Sequence, residues 1–210
     1  AEAIAIGADL VGLKPASINH NQAAALALTT LTAMIALEDT AQLVEGQKLL
    51  VQGGAGGVGS VGIQIGHFLG AHVITTASPG NHDYVSGLGA DEVIDYNTTD
   101  FTQAVSDCDV VFDTVGGKVH AQSYSVLKSN GKLVWIGGQP EGFSNPRQDV
   151  NAMRPDVQRA RHYMDRISAL ITSGAVKTPE MHFMGLDDIR VAHELSAAGH
   201  VRGKIVLQVR

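Results

Sequence analysis

The chain has 210 residues, and 44% of them are hydrophobic, which is enough to bury a core and excludes a disordered protein. Asp and Glu (21) outnumber Lys and Arg (15), so the net charge is −6 and we expect no nucleic acid partner, because phosphate backbones are held by basic surfaces. The single cysteine, Cys108, excludes an internal disulfide and leads us to expect a reducing, cytoplasmic location.

The first segments of the chain predict short strands followed by one long helix. Residues 1–13 read as two strands around Gly7, and Ser17 is the expected cap of an Ala-rich helix from about Asn21 to Leu37. Three threonines interrupt the apolar stretch Ala23–Leu37 and no charged segment precedes it, so it predicts neither a membrane span nor a signal peptide. Opening strands without a visible partner lead us to expect that the chain begins inside another domain.

From Lys48 onward, short β-branched segments alternate with helical ones at the spacing of βαβ units. Most of these strands are nearly continuous apolar runs, as parallel strands covered by helices on both faces must be. The pattern predicts an α/β fold, a Rossmann-type doubly wound parallel sheet with right-handed connections. The predicted strands are 48–52, 72–76, 92–95, 109–113, 132–136 and 204–209, and the predicted helices are 57–69, 81–88, 100–105, 119–127, 156–173 and 186–197.

A glycine-rich loop follows the first of these strands. Gly54, Gly56 and Gly59 form a G-x-G-x-x-G pattern directly after a strand and directly before a helix. In that setting the glycines give a tight turn, room for a pyrophosphate to approach the backbone, and close packing of helix on strand. A nucleoside triphosphate loop would need lysine where Ser60 stands, so the pattern predicts a dinucleotide site.

The end of the second strand indicates which dinucleotide is bound. An NAD site places Asp or Glu about 20 residues beyond the loop, whereas here Ala77 and Ser78 end the strand and the next acid is Asp83. A carboxylate there would repel the 2′-phosphate of NADP by about 3 kcal/mol at a separation of ~5 Å. Its absence favours NADP(H), with Ser78 and His82 as candidate donors, although no arginine lies on this loop.

The sequence identifies no catalytic acid, base or nucleophile. The nine histidines form no zinc-binding pattern, so no metal site is predicted, and those near the C-terminus, among them His193 and His200, are too scattered to define a site. Tyr124 and Lys128 have the Tyr-x-x-x-Lys spacing of short-chain reductases, but their surroundings favour helix packing. Acidic neighbours should raise the pKa of Cys108, which makes an active thiol unexpected.

Five segments, in order and across nearly the whole chain, carry a resemblance to a known family: Ala23–Ala33, Gly53–Gly59, Leu88–Tyr96, Val111–Gly117 and Gly199–Leu207. They resemble the medium-chain dehydrogenase/reductase superfamily and within it the zinc-free quinone oxidoreductase-like branch. The resemblance implies a Rossmann domain flanked by remnants of a GroES-like β domain. We therefore expect the tail of a catalytic domain at 1–20, the Rossmann domain at 21–155, and a segment that returns to the catalytic domain at 156–210.

In the family, a sixth strand commonly pairs subunits. The only candidate for it here, residues 149–153, is short and polar, so a homodimer stays an open expectation.

The resemblance also implies which residues hold the cofactor. By position, Gly56, Gly57, Val58 and Lys204 would meet the pyrophosphate, Ser78, His82 and Tyr96 the 2′-phosphate, Thr114, Val115, Ile136 and Gly137 the nicotinamide ribose, and Thr32 the nicotinamide.

The function implied by the resemblance is an NADPH-dependent oxidoreductase that transfers hydride to a quinone, an enone or a related activated carbonyl compound. If the substrate contacts lie on a catalytic domain outside this chain, we expect these 210 residues to bind NADPH with little turnover. Two alternatives stay open. One is a zinc-dependent alcohol dehydrogenase with ligands in a preceding segment, and the other is a non-catalytic, regulatory NADP(H)-binding protein.

Overall fold

Six parallel strands form the central sheet of the computed structural model, which describes residues 3–209. The strands are β1 Lys48–Gln52, β2 His72–Ala77, β3 Glu92–Asp95, β4 Cys108–Asp113, β5 Leu127–Trp135 and β6 Asn151–Met153. Their order is β3-β2-β1-β4-β5-β6, and every neighbouring pair is parallel. This order confirms the predicted doubly wound Rossmann fold, in which the strand order reverses between β1 and β4.

Helices cover both faces of this sheet. Leu49 and Val51 of β1 point into one buried apolar cluster, and Leu50 points into a second cluster on the opposite face, as the two-residue period of a strand requires. Both faces of the sheet are therefore buried, which explains why its strands are continuous runs of apolar residues. The helices are α1 His20–Met34, α2 Gly57–Phe68, α3 His82–Gly87, α4 Phe101–Ala104, α5 Gly117–Ser123, α6 Arg161–Thr172 and α7 Ile189–Ala197.

The cap of helix α1 lies two residues after the expected one. Asn19, and not Ser17, caps the helix, because its side chain accepts from the Gln22 amide at 2.9 Å while the Gln22 side chain accepts from the Asn19 amide at 2.8 Å. Beyond Met34 the helix continues as a wider turn, Ile35–Thr40. The combined helix is long and apolar enough to span a bilayer, yet 56% of its 18-residue apolar window is buried, and it packs against α2 and α6 as a core helix.

The predicted strands at the start of the chain are wrong for the described residues. Residues 3–13 contain no strand, and Ala8–Leu10 form a single 3₁₀ turn. A strand needs a partner for its backbone groups, and Ile4 and Ile6, 81% and 53% exposed, have no neighbouring strand among residues 3–209. Residues 1 and 2 of this prediction lie outside the described part.

A second, two-stranded sheet joins the C-terminal segment to the glycine-rich loop. Strand β7, Met181–Gly185, was not predicted, and it pairs in parallel with β8, Lys204–Gln208. Just before β8, the amide of Gly203 donates to the carbonyl of Ala55 at 2.9 Å. The expected division of the chain at residues 20 and 155 stays a prediction.

The strand at the other edge is as short as expected. β6 has three residues and pairs with the end of β5, which begins at Leu127 and not at Lys132 because Leu127 pairs with Cys108 ahead of a register shift. Arg147 lies in the loop between β5 and β6. It donates to the carbonyls of Tyr124 and Leu127 at 2.9 and 2.6 Å, which ties this loop to the start of β5.

Candidate cofactor site

The glycine-rich loop packs closely between β1 and α2. Gly56 is the N-cap of α2, and its amide donates to the Gly53 carbonyl at 3.1 Å. A Cβ on Gly59 would overlap the Gly53 carbonyl oxygen, and one on Gly54 would overlap the Thr75 hydroxyl. No side chain caps α2. The loop therefore leaves the first N–H groups of the helix, with its positive dipole end, available to an anion.

Two adjoining cavities lie along this loop, and we call them together the trough. One, of about 460 Å³, lies beside α7 and β8, and the other, of about 900 Å³, lies at the ends of β2 and β3. The same four residues, Gly56, Thr114, Gly199 and Val201, line both cavities, so the two lie side by side along the loop. Its place, at the carboxyl ends of parallel strands beside the reversal of strand order, is where open α/β sheets bind ligands.

Ten of the predicted cofactor residues line the trough. They come from six separate segments of the chain, and the fold brings them to one edge of the sheet. They are Gly56, Gly57, Val58, Gly59, Ser78, Tyr96, Thr114, Val115, Ile136 and Lys204.

Two predicted residues point elsewhere. The Thr32 hydroxyl donates to the Leu28 carbonyl at 2.9 Å within α1, and it is Thr29, almost one turn earlier, that lines the trough. The His82 ring, at the start of α3, turns back toward the end of β2, with Nε2 3.4 Å from the Ala77 carbonyl oxygen. The assignment of both residues to the cofactor stays a prediction.

Gly54 and Gly137 shape the backbone around the trough and do not line it. A Cβ on Gly137 would lie 2.6 Å from the amide nitrogen of Gly116, so the loop after β5 packs directly on the loop after β4. The amide of Gly117 donates to the Gly138 carbonyl at 2.7 Å. Close backbone contact of this kind requires glycine and brings Ile136 to the trough wall.

A buried polar network forms the floor of the trough beneath the glycine-rich loop. The Thr76 hydroxyl accepts from the Gly53 amide at 3.0 Å and donates to Oε1 of Gln52 at 2.9 Å, while the Thr114 hydroxyl donates to the Gln52 carbonyl at 2.7 Å. Nε2 of Gln52 has no hydrogen-bond partner within the described chain, although it is buried. A buried donor without a partner is costly, and such groups concentrate at functional sites.

The acidic residue that pairs with the end of β2 is Asp95, and hydrogen bonds within the turn that follows β3 hold its side chain. Ala77 pairs with Asp95 of β3, whose carboxylate accepts from the Asn97 amide and the Thr98 hydroxyl, both at 2.9 Å. These hydrogen bonds, the backbone one foremost, hold the pKa of Asp95 below its usual value. Asp95 is absent from the trough lining, so the wall beside Ala77 carries no carboxylate of β2 or β3.

Three basic side chains that sequence reasoning did not place also line the trough. His193 and His200 come from α7 and the loop after it, and Lys118 comes from α5. His200 lies about 120 residues along the chain from Ser78, with which it shares the larger cavity. No local pattern could have joined them, because only the fold brings the C-terminal segment over the end of β2.

The described residues do not fit a zinc ion. Within residues 3–209, no group of three or more His, Cys, Asp or Glu side chains is placed to hold a metal. Cys108 is buried, and desolvation raises its pKa to about 12, in the expected direction, with only smaller contributions from the acidic neighbours Asp107 and Asp109. Tyr124 is buried and Lys128 pairs with Asp109, so the Tyr-x-x-x-Lys spacing forms no site.

Known proteins are similar to this chain in sequence and in fold. The family described as zinc-binding dehydrogenase matches residues 88–207, more than half of the chain. The 2-methylene-furan-3-one reductase of Solanum lycopersicum is 35% identical over 99% of this chain and 52% of its own length. The quinone oxidoreductase of Coxiella burnetii is 34% identical, with a TM-score of 0.85 over 94% of this chain and 63% of its own.

A structure with bound cofactor is also similar. The quinone oxidoreductase of Escherichia coli complexed with NADPH has a TM-score of 0.84 and 27% identity over 93% of this chain and 67% of its own. The chain thus spans about half to two thirds of the length of these relatives. It belongs to the zinc-binding dehydrogenase family, as its resemblance to the medium-chain dehydrogenases/reductases predicted.

Proposed function

We propose that this chain binds NADPH in the trough and is the cofactor-binding part of an oxidoreductase that reduces a quinone, an enone or a related activated carbonyl compound. The observation that carries the proposal is the glycine-rich loop beside an uncapped helix N-terminus, where a Cβ on Gly59 would overlap the Gly53 carbonyl oxygen and one on Gly57 would overlap the Lys204 side chain. The Solanum and Coxiella relatives, named as a 2-methylene-furan-3-one reductase and a quinone oxidoreductase, support the substrate class. We also propose that the protein is cytoplasmic and that it forms a homodimer through β6.

The charges in the trough suit a dinucleotide phosphate. Lys204 lies beside Gly57, with its side-chain Cδ 2.5 Å from where a Cβ of that glycine would be, so its ammonium group is placed to neutralise a pyrophosphate. At the other end, Ser78, Tyr96 and His200 offer polar hydrogens around the position we assign to the 2′-phosphate. Asp100 also lines the larger cavity, but β2 and β3 carry no carboxylate beside Ala77, and donors without a carboxylate at this position favour NADPH over NADH.

In the proposed reaction, the protein binds and orients the cofactor. When bound, NADPH supplies the hydride, and the residues of the trough hold it in place and exclude water around it. Thr29, Thr114 and Ile136 line the part of the trough beyond the pyrophosphate loop, where the nicotinamide end would lie. Because the described residues do not fit zinc, zinc enters no step of this proposal.

The cofactor preference is tested at Ala77. In Ala77→Asp, the new carboxylate should repel the 2′-phosphate by about 3 kcal/mol at ~5 Å, which lowers NADPH affinity roughly a hundredfold and shifts the preference toward NADH. The measurement is equilibrium titration with each cofactor, followed by the fluorescence of the reduced nicotinamide.

Ala77→Asn is the matched control, because it has the same shape as the aspartate variant without its charge. If both variants bind NADPH equally, the 2′-phosphate does not lie beside Ala77, and if the unmodified chain binds neither cofactor, the proposal fails. The reaction itself is tested by NADPH oxidation with a simple quinone and an α,β-unsaturated ketone, using the intact natural protein. Tight binding without oxidation by either acceptor would favour the non-catalytic alternative.

A further inference from the structure

A buried carboxylate and imidazole lie directly behind the trough wall. Asp113 ends β4, His120 belongs to α5, and both side chains are fully buried. One carboxylate oxygen of Asp113 accepts from the amides of Val115 and Gly116, both at 2.9 Å, and the other lies 3.1 Å from Nδ1 of His120. The carboxylate therefore holds the loop after β4 with one oxygen and is itself held by His120 with the other.

The imidazole has one orientation and one tautomer. The Asp113 carboxylate can only accept, so the ring hydrogen is on Nδ1 and faces it, while Nε2 lies 3.2 Å from the side-chain amide nitrogen of Gln139, which donates to it. The rings of Tyr124, Trp135 and Phe143 surround the imidazole edge to face, with centroids 5.1–5.6 Å away. These contacts leave the ring no room to rotate.

The loops held by His120 form part of the trough wall. Asp113 fixes the loop that carries Thr114 and Val115, and Gln139 lies on the loop that follows Ile136. Gly116, with φ of +82°, packs against the second loop so closely that a Cβ would overlap the Gly138 carbonyl. A small movement of either loop would therefore move the wall.

We propose that His120 is a positioning residue, which sets the trough wall through Asp113 and Gln139 without touching the cofactor. Only histidine combines, on opposite edges of one rigid ring, a donor for the carboxylate and an acceptor for the amide. This is the arrangement needed to fix two loops from one buried point. The effect on NADPH binding rests on the proposed function above, whereas the effect on the loop does not.

Two substitutions separate the hydrogen bond from the bulk of the ring. His120→Phe keeps a ring in the aromatic surroundings but leaves one oxygen of Asp113 without its donor, and His120→Asn places an amide N–H near the position of Nδ1. We expect Kd for NADPH to rise about tenfold in His120→Phe, which lacks both hydrogen bonds, and at most about threefold in His120→Asn, which lacks only the one to Gln139. Without cofactor, the Val115 and Gly116 amides should exchange with deuterium about tenfold faster in His120→Phe, relative to the Val111 amide of β4.

Leu170→Ala is the control for general destabilisation. Leu170 is buried in α6 and lines neither cavity, so this variant should lower the melting temperature without changing Kd or the relative exchange of Val115 and Gly116. The proposal is overturned if His120→Phe leaves the relative exchange unchanged, if its Kd equals that of the original chain, or if His120→Asn binds as weakly as His120→Phe. Absence of NADPH binding by the original chain would instead defeat the proposed function, and the exchange experiment would still decide the role of His120 in the loop.

Discussion

At the scale of single residues, the space around Gly59 decides whether the pyrophosphate site exists. A Cβ at this position would overlap the Gly53 carbonyl oxygen, a backbone atom that cannot move without opening the turn. Contacts with backbone leave fewer ways to relax than contacts with the end of a flexible side chain. Gly57 differs in this respect, because its nearest neighbour is the Lys204 side chain, which can swing away.

We predict that Gly59→Ala destabilises the protein by about 2 kcal/mol and abolishes measurable NADPH binding, because α2 can no longer pack on the end of β1. Chemical denaturation and cofactor titration measure the two effects. Gly80→Ala is the matched control, because a Cβ there meets nothing within 4 Å and Gly80 has no positive φ. Its stability and affinity should not change, and NADPH binding by Gly59→Ala at the original affinity would contradict the assigned phosphate position.

At the scale of elements, helix α1 shows how much of an apolar helix depends on its ends. Its sequence is Ala-rich and mostly uncharged, so local propensity favours helix but does not fix where the helix begins. The reciprocal hydrogen bonds of Asn19 and Gln22 set that start. At the other end, Arg166 of α6 pairs with Glu38 at 2.7 Å and Tyr163 donates to Asp39 at 2.8 Å, which holds the wider turn in place.

We predict that Asn19→Ala lowers the free energy of unfolding by about 1 kcal/mol, the usual effect of losing an N-cap, without affecting cofactor affinity. Urea denaturation of the variant against the original chain measures the difference. Asn21→Ala, two residues later and inside the first turn, makes the same chemical change where no cap is lost, and its stability should stay equal or rise slightly. An equal loss in both variants would show that the cap is not the cause.

At the scale of the whole molecule, the trough joins the Rossmann sheet to the small C-terminal sheet. The Gly203 amide donates to the Ala55 carbonyl, and Lys204 of β8 extends over Gly57. Residues of the C-terminal segment, including His193 and His200, line the same cavities as the glycine-rich loop. A ligand that fills the trough therefore contacts both parts at once.

We predict that NADPH at about 100 times its Kd stabilises the protein by about 2.7 kcal/mol, which raises the melting temperature by several degrees. Protection from hydrogen exchange should appear at the amides of Gly203 and Lys204 as well as along α2. Calorimetry and amide exchange with and without NADPH measure both quantities, and AMP, which lacks the nicotinamide half, serves as the comparison ligand. Protection confined to α2 and the central sheet would show that the C-terminal segment does not close over the cofactor.

The amino-acid sequence by itself determined the type and order of the central elements and the position of the phosphate loop. Both follow from local physics, because the two-residue and 3.6-residue periods of apolar side chains and the conformational needs of glycine are visible within about ten residues. The bounds of β1 and β3 were predicted as the structure has them. The helix cap at Asn19 could also have been predicted from the sequence, since its partner Gln22 is only three residues away.

Only the tertiary structure decided the remainder. The pairing of β7 with β8, the absence of strands in residues 3–13, and the arrival of His200 at the end of β2 all depend on contacts between segments far apart in the chain. The same holds for His120, which lies seven residues from Asp113 but acts only because Gln139 and three aromatic rings enclose it. A strand needs a partner and a buried polar group needs its hydrogen bonds, and the identity of either partner is settled by packing in three dimensions.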